Sequence, residues 1–209
     1  PKPMLPVGDR PLMEHIIEQL RSSGITQVNL AVHHMSERIT EHFGDGTEFG
    51  VRIGYVTEDR PLGTAGALGL MDTPKDTILV VNGDILTHIS YQDMLAYHKD
   101  NHAVLTMAVQ RHDIPVPYGV VECQGTMVQS ISEKPVLRNL INAGIYLLEP
   151  EAYHYIPSGQ RYDMTELIQY LIADGRPVAA FPIHEYWRDI GGHDDYAQAQ
   201  EDIKSKENS

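Results

Sequence analysis

Hydrophobic and polar positions change period several times along the chain, and each change marks an element. Leu12, His15, Ile16, Gln19 and Leu20 recur on one helical stripe, and Gly24 stands where a C-terminal cap belongs. Val28 to Val32 is a short apolar run, and Val51 to Val56 alternates with period two. Thr77 to Val81 is continuous and β-branched, as expected of a strand covered on both faces, and Ala103 to Val109 reads the same way. Ser36 to Phe43 and Ser90 to His98 are shorter helical patterns opened by Ser36 and Ser90 as candidate N-caps. Strand–helix–strand alternation predicts right-handed βαβ units and a mainly parallel sheet.

From Tyr118 the rhythm shifts. Gly119 to Cys123, a Gln124-Gly125 turn and Met127 to Ser132 predict a hairpin. Ile141 to Leu148 reads as a strand, Thr165 to Ile172 as a helix ending at Asp174-Gly175, and Val178 to Ile183 as the last strand. A polar helix from about Asp194 follows, and 204–209 is expected to fray. With no repeat, low-complexity tract or linker, the expectation is a single α/β domain over 1–209. It is Rossmann-like: a mainly parallel mixed sheet flanked by helices in 1–117, and a more antiparallel portion in 118–203.

Composition narrows the function classes. At 209 residues, 42% of them hydrophobic, one domain can bury roughly 70% of its unfolded surface. No apolar run reaches the roughly 20 residues of a membrane span, and no basic-then-apolar leader opens the chain, so no membrane partner is expected. The single cysteine, Cys123, excludes a disulfide framework and Cys-rich zinc sites. A net charge of −13 repels nucleic acid. The expectation is a soluble cytoplasmic protein whose anionic ligands are met by a few placed cations or a metal. Tyr153, Tyr155 and Tyr162 read equally as core or as the interface of a homo-oligomer.

Ligands of open parallel sheets sit beyond the carboxyl ends of the strands, so the residues following each strand carry the chemistry. After Val81 comes Asn82-Gly83-Asp84, an aspartate placed to hold a hard cation or, equally, to cap a turn. Trp187-Arg188-Asp189-Ile190-Gly191-Gly192 offers a second carboxylate for the same cation, with a helix N-cap as the rival reading of Asp189. Lys2 stands between Pro1 and Pro3, and Lys134 between Glu133 and Pro135, stiff presentations of a point charge suited to phosphate. Gly63-Thr64-Ala65-Gly66-Ala67 opens a helical stretch whose N–H groups could receive a base or a phosphate, or whose small residues allow close packing. The eleven histidines, adjacent His33 and His34 included, show no chelating pair and read as solvated or packed. Cys123 reads as a packed thiol, and Asp194-Asp195 as helix-capping charge.

Seven segments then occur in order: Pro1 to Val7, Pro61 to Ala67, Val81 to Asp84, Tyr118 to Val121, Glu133-Lys134-Pro135, Asn142 to Tyr146 and Trp187 to Gly191. Together they resemble the sugar-1-phosphate nucleotidyltransferases, most closely the mannose-1-phosphate guanylyltransferase-like branch, over essentially the whole chain. The resemblance implies that Asp84 and Asp189 hold a catalytic Mg²⁺, that Lys2 reaches the nucleotide phosphates and that Lys134 grips the sugar phosphate. Glu133, Asn142 and Gly119 match positions that bind sugar hydroxyls, and Gly63 and Thr64 match the segment approaching the base. The implied reaction joins an NTP, GTP by overall resemblance, to a hexose 1-phosphate, with release of pyrophosphate.

The family's glycine-rich loop, G-x-G-T-R-L, precedes the segment matching Pro1 to Val7, and these 209 residues do not include it. That loop supplies triphosphate donors, so a non-catalytic sugar-nucleotide-binding domain is the alternative reading. Two further rivals lack their fingerprints: there is no G-x-G-x-x-G with a following acid for a dinucleotide oxidoreductase, and no D-x-D for a glycosyltransferase.

Overall fold

The computed structural model describes residues 2–33 and 36–207. Pro1 and His34 of the sequence reading lie outside the described residues, as do the capping side chain of Ser36 and the last two residues of the predicted tail. The elements run β1 (Pro6–Val7), β2 (Arg10–Pro11), α1 (Leu12–Ser22), β3 (Gln27–Val32), α2 (Ser36–Phe43), β4 (Arg52–Thr57), α3 (Gly63–Gly66), β5 (Ile78–Val81) and β6 (Ile85–Thr87). They continue with α4 (Tyr91–Asp100), β7 (Leu105–Pro115), β8 (Val120–Gln124), β9 (Met127–Ser132), β10 (Val136–Leu148), α5 (Met164–Ala173), β11 (Val178–Pro182), β12 (Trp187–Asp189) and α6 (His193–Glu207).

The central sheet has the order β11-β7-β10-β5, with β11 parallel to β7 and β10 antiparallel to both of its neighbours. β3 and β4 form a separate parallel pair, while β6 and β12 pair antiparallel. The α/β character follows from the alternation of patterns. The antiparallel entry of β10 is a tertiary matter, because its long hydrophobic run is compatible with either direction.

β10 shows why the sheet is covered on both sides. Ala143, Ile145 and Leu147 face one core layer, built with α1, β6, α4 and α6. Tyr146 and Leu148 face the other, built chiefly with α5 and the turn at 150–155. Successive side chains of a strand point to opposite faces, so a continuous apolar run needs a cover on each. α1 buries Leu12, Met13, Ile16, Ile17 and Leu20, at about 1.5–3 kcal/mol for each large side chain. The chain leaves this helix through Gly24 at φ +85°, a left-handed position that glycine adopts without Cβ strain. The Ser90 hydroxyl accepts the Asp93 amide at 3.2 Å, as an N-cap should.

Several elements differ from the sequence reading. Tyr153 is buried, and Tyr155 and Tyr162 pack against the same core cluster, so this aromatic region is core. The hairpin turn uses Gly125-Thr126, one residue later than expected, with Gly125 at φ +61°. Cys123 is exposed, not packed. β7 and β10 run on beyond the predicted strands as a two-stranded ribbon paired from Val136↔Pro115 to Asn142↔Val109. A strand also follows β11, for β12 carries Asp189. α6 stays helical to Glu207 where fraying was expected from residue 204.

Candidate active site

The carboxyl end of β5 is where the site assembles. Val81 pairs with Ile145, so Asn82-Gly83-Asp84 emerges beside the point where β10 breaks register between Asn142 and Tyr146. The Asn82 amide donates to the Gly144 carbonyl at 2.8 Å. Gly144 sits at φ +72°, and a Cβ there would come 2.7 Å from Asn82 Nδ2, so glycine is required both for the bend and for the contact. The Asn142 carboxamide accepts from the Gly144 amide at 3.0 Å and donates to the Tyr146 hydroxyl at 2.7 Å, which stiffens the bulge.

β12 brings the second carboxylate to this place. It pairs antiparallel with β6, Asp189 opposite Ile85, and the Ile190 amide donates to the Asp84 carbonyl at 2.8 Å. Trp187 Nε1 donates to the Ala143 carbonyl at 2.9 Å, tying β12 to the β10 bulge as well. Asp189 titrates above the ordinary carboxylate range. Partial desolvation is the largest cause, followed by the negative charge of Asp84; Asp195 adds repulsion, while Lys2 and the Gly191 amide oppose it.

Lys2 reaches the same corner from the other end of the chain. Its ammonium donates to the Gly191 carbonyl at 2.9 Å. That approach depends on α6, whose Tyr196 hydroxyl donates to the Pro6 carbonyl at 2.6 Å and whose Gln200 side chain accepts from the Gly8 amide at 3.1 Å. Arg188 Nε is bonded to Asp202 Oδ2 at 3.2 Å, holding α6 against β12. Gly83 leaves room for Pro3, since a Cβ there would come 3.3 Å from its ring.

The other predicted residues fall into two groups. Gly119 and Glu133 stand together at the base of the β8–β9 hairpin, where a Cβ on Gly119 would come 3.2 Å from Glu133 Oε2. Lys134 follows at φ +45°, exposed, at the turn into β10. Gly63 and Thr64 form the start of α3 and are bound to α5: the Thr64 amide donates to Asp163 Oδ1 at 3.3 Å, and Thr64 Oγ1 accepts from the Met164 amide at 2.8 Å. Gly63, at φ +82°, leaves no room for a Cβ beside Asp163.

Contacts therefore bring Asp84, Asp189, Lys2 and Asn142 into one connected corner, with Gly119, Glu133 and Lys134 in the antiparallel portion and Gly63-Thr64 on α3 against the start of α5. Sequence reasoning did not single out Asn82 or Gly144 as separate contributors, and it read Asp195 only as helix-capping charge, whereas that charge also bears on Asp189. Asn-Ala-Gly inside an apolar strand was the available sign of a bulge. A groove of about 590 Å³ lies at the opposite end of the sheet, lined by His98, Lys99, His102, Glu149 and Glu151 among others. Among the described residues no set of three or more His, Cys, Asp or Glu side chains is placed to hold a metal by itself. Two hard carboxylate oxygen donors without histidine or thiolate fit a cation of the Mg²⁺ type, which is held by one or two carboxylates and completed by substrate phosphates.

A corner of paired carboxylates and a lysine offers oxygen donors for a hard cation and a positive charge for an anion. The profile described as Nucleotidyl transferase matches residues 1–206, and the chain belongs to that family, within its sugar-1-phosphate nucleotidyltransferases. It is 34% identical to a UTP–glucose-1-phosphate uridylyltransferase of Synechocystis, over 99% of this chain and 59% of the relative. It is 31% identical to the mannose-1-phosphate guanylyltransferase of Mycobacterium tuberculosis, over 97% of this chain and 58% of that protein. Among solved structures it superposes on a putative glucose-1-phosphate thymidylyltransferase of Bacillus anthracis in complex with a sucrose. There the TM-score is 0.76 at 26% identity, covering 96% of this chain and 85% of that one. The chain spans about three-fifths of the length of these curated relatives. Among the described residues no helix is long and apolar enough to cross a membrane.

Proposed function

We propose that this chain carries the nucleotidyl-transfer site of an enzyme that converts an NTP and a sugar 1-phosphate into an NDP-sugar and pyrophosphate. The observation that carries the reading is the convergence of Asp84 and Asp189, from strands far apart in sequence, with the Lys2 ammonium on the adjoining Gly191. The nucleophile in such a reaction is a phosphate oxygen of the sugar phosphate, ionised near neutral pH because its second pKa is about 6, so no protein base is needed. The obstacle is electrostatic, since two anions must meet in line at the α-phosphorus. Asp84 and Asp189 are the proposed holders of Mg²⁺, which when bound offsets phosphate charge and polarises the reacting phosphoryl group.

Lys2 is assigned to the nucleotide phosphates and Lys134 to the sugar phosphate, each stabilising charge through short hydrogen bonds. Gly119, Glu133 and Asn142 are assigned to sugar hydroxyls, and Gly63 and Thr64 to the base. GTP with a hexose 1-phosphate is the proposed pairing, supported by the guanylyltransferases among the relatives; the uridylyltransferase makes UTP the competitor. A cytoplasmic setting goes with these soluble small-molecule substrates.

The test is a thermal-shift panel on this chain with Mg²⁺ and NDP-sugars in which base and sugar vary independently. A shift confined to one base and one sugar, absent when Mg²⁺ is omitted, supports the reading. Equal response to every nucleotide, or none, refutes it.

A further inference from the structure

The segment that carries Lys2 has little local stability. Its short 3-10 turn, Lys2–Met4, buries none of its residues and is closed by the Leu5 amide on the Lys2 carbonyl at 2.9 Å. Firm attachment comes further along, where the chain is clasped from two sides. α1 takes alternate carbonyls: the Leu12 amide donates to the Leu5 carbonyl at 2.9 Å, and the His15 ring bonds the Val7 carbonyl at 2.8 Å. α6 takes the groups between. The Tyr196 hydroxyl and Gln200 Nε2 both donate to the Pro6 carbonyl, and Gln200 Oε1 accepts from the Gly8 amide at 3.1 Å. Gln200 Nε2 also donates to the Tyr196 hydroxyl at 2.9 Å. Both donors and the oxygen of this carboxamide are thus engaged, and a flipped amide would set oxygen against the Pro6 oxygen.

We propose that Gln200 is a positioning residue for the nucleotide phosphates, acting through Lys2 by its clasp on Pro6 and Gly8. The inference rests on the assignment of Lys2 to those phosphates. Lys2 is fixed at both ends on one rigid element. Its ammonium donates to the Gly191 carbonyl at 2.9 Å, just before α6 begins, and the Tyr196 amide closes the first turn of that helix on the Gly192 carbonyl at 3.1 Å. Tyr196 and Gln200 then hold the main chain of the Lys2 segment about one and two turns further along. An ammonium has three donors, so the bond to Gly191 leaves two for phosphate oxygens. A lysine stem is flexible, and its charge is well placed only if the backbone that carries it is held. A misplacement of about 1 Å can cost on the order of 100-fold in rate. A bond that merely docked α6 would act on both substrates alike, whereas one that places Lys2 acts on the nucleotide side.

Gln200→Met keeps the length of the side chain and removes its three bonds. Amide hydrogen exchange at Gly8 should become about tenfold faster while the melting of the domain changes little. In pyrophosphate release by the enzyme, kcat/KM for the nucleotide should fall about tenfold, with KM for the sugar phosphate within about twofold of wild type. Tyr196→Phe, which removes only the hydroxyl from Pro6, should shift the nucleotide parameters the same way by a smaller factor, and it keeps the test open if the methionine variant folds poorly. A double-mutant cycle decides whether the effect passes through Lys2: in a Lys2→Ala background, Gln200→Met should change kcat/KM for the nucleotide by less than about twofold. A loss that persists in full without Lys2, a wild-type nucleotide kcat/KM in Gln200→Met, or an equal rise in both KM values overturns the proposal. If Lys2→Ala alone leaves the nucleotide parameters unchanged, the assignment of Lys2 is refuted, and this inference falls with it.

Discussion

The Asp84 carbonyl accepts the Ile190 amide at 2.8 Å, and this one main-chain bond joins two segments more than a hundred residues apart so that Asp189 stands beside Asp84. Partial desolvation first, and the negative charge of Asp84 second, raise the Asp189 pKa, so the pair is held in electrostatic tension. Tension of this kind is expected where two carboxylates are held ready for a cation rather than for each other.

Asp189→Asn should therefore separate stability from function. A carboxylate whose folded pKa lies above its unfolded value costs stability once ionised, and that cost is absent below both values. In metal-free buffer at pH 7 the variant should melt above wild type, with the difference closing toward pH 3. The same variant should lose the Mg²⁺-dependent shift with NDP-sugar. Melting curves across pH decide it, and a variant less stable than wild type at pH 7 removes the tension argument.

Gly144→Ala should be costly for its size. The residue is at φ +72° and the new Cβ would press on Asn82 Nδ2 at 2.7 Å. A loss of about 1–3 kcal/mol is expected, or roughly 2–4 °C in Tm per kcal/mol for a domain of this size. Because Asn82 leads directly into Asp84, product binding should weaken as well. Unchanged melting would mean that the bulge relaxes freely.

Glu149 predicts an acid-sensitive contribution at the far end of the sheet. Burial pushes its pKa up, but hydrogen bonds from Thr77 Oγ1 at 2.6 Å and the His98 ring at 2.9 Å outweigh this and hold it below the ordinary value. Its stabilising contribution is thus present above the unfolded pKa, and is lost as pH falls through the lower folded value. Thr77→Val should lower Tm at pH 7 by an amount equivalent to about 1 kcal/mol, and the difference should shrink as the carboxylate protonates. A pH-independent difference would assign the loss to packing instead.

Lys134→Ala and Lys2→Ala should divide by substrate. In a pyrophosphate-release assay on the enzyme, the first should raise KM for the sugar phosphate about tenfold or more, the loss of a charge-assisted hydrogen bond, with KM for the nucleotide nearly unchanged. The second should act on the nucleotide side and on kcat. An identical KM for sugar phosphate in Lys134→Ala would reject its assignment.

Local pattern was enough for the α/β class, for helices such as α1 and α5, and for the short strands β3, β4 and β5, since hydrophobic period and caps are encoded within a few residues. The ordered segments at Lys2, Asp84, Lys134 and Asp189 were likewise legible, because residue type and chain order suffice to mark a family. The short strands β6 and β12 were not. Three residues carry too little periodicity, and their pairing is a long-range bond between Asp189 and Ile85. The antiparallel course of β10, the bulge that needs Gly144, and the pinning of Lys2 by α6 depend on contacts between distant segments, where no local propensity acts. Tyr153 could be assigned to the core only once α5 and β10 had closed around it. The sequence determined which chemical groups are present and in what order. Only tertiary packing determined that two carboxylates and a lysine meet at one corner, because that meeting depends on contacts between segments distant in the chain.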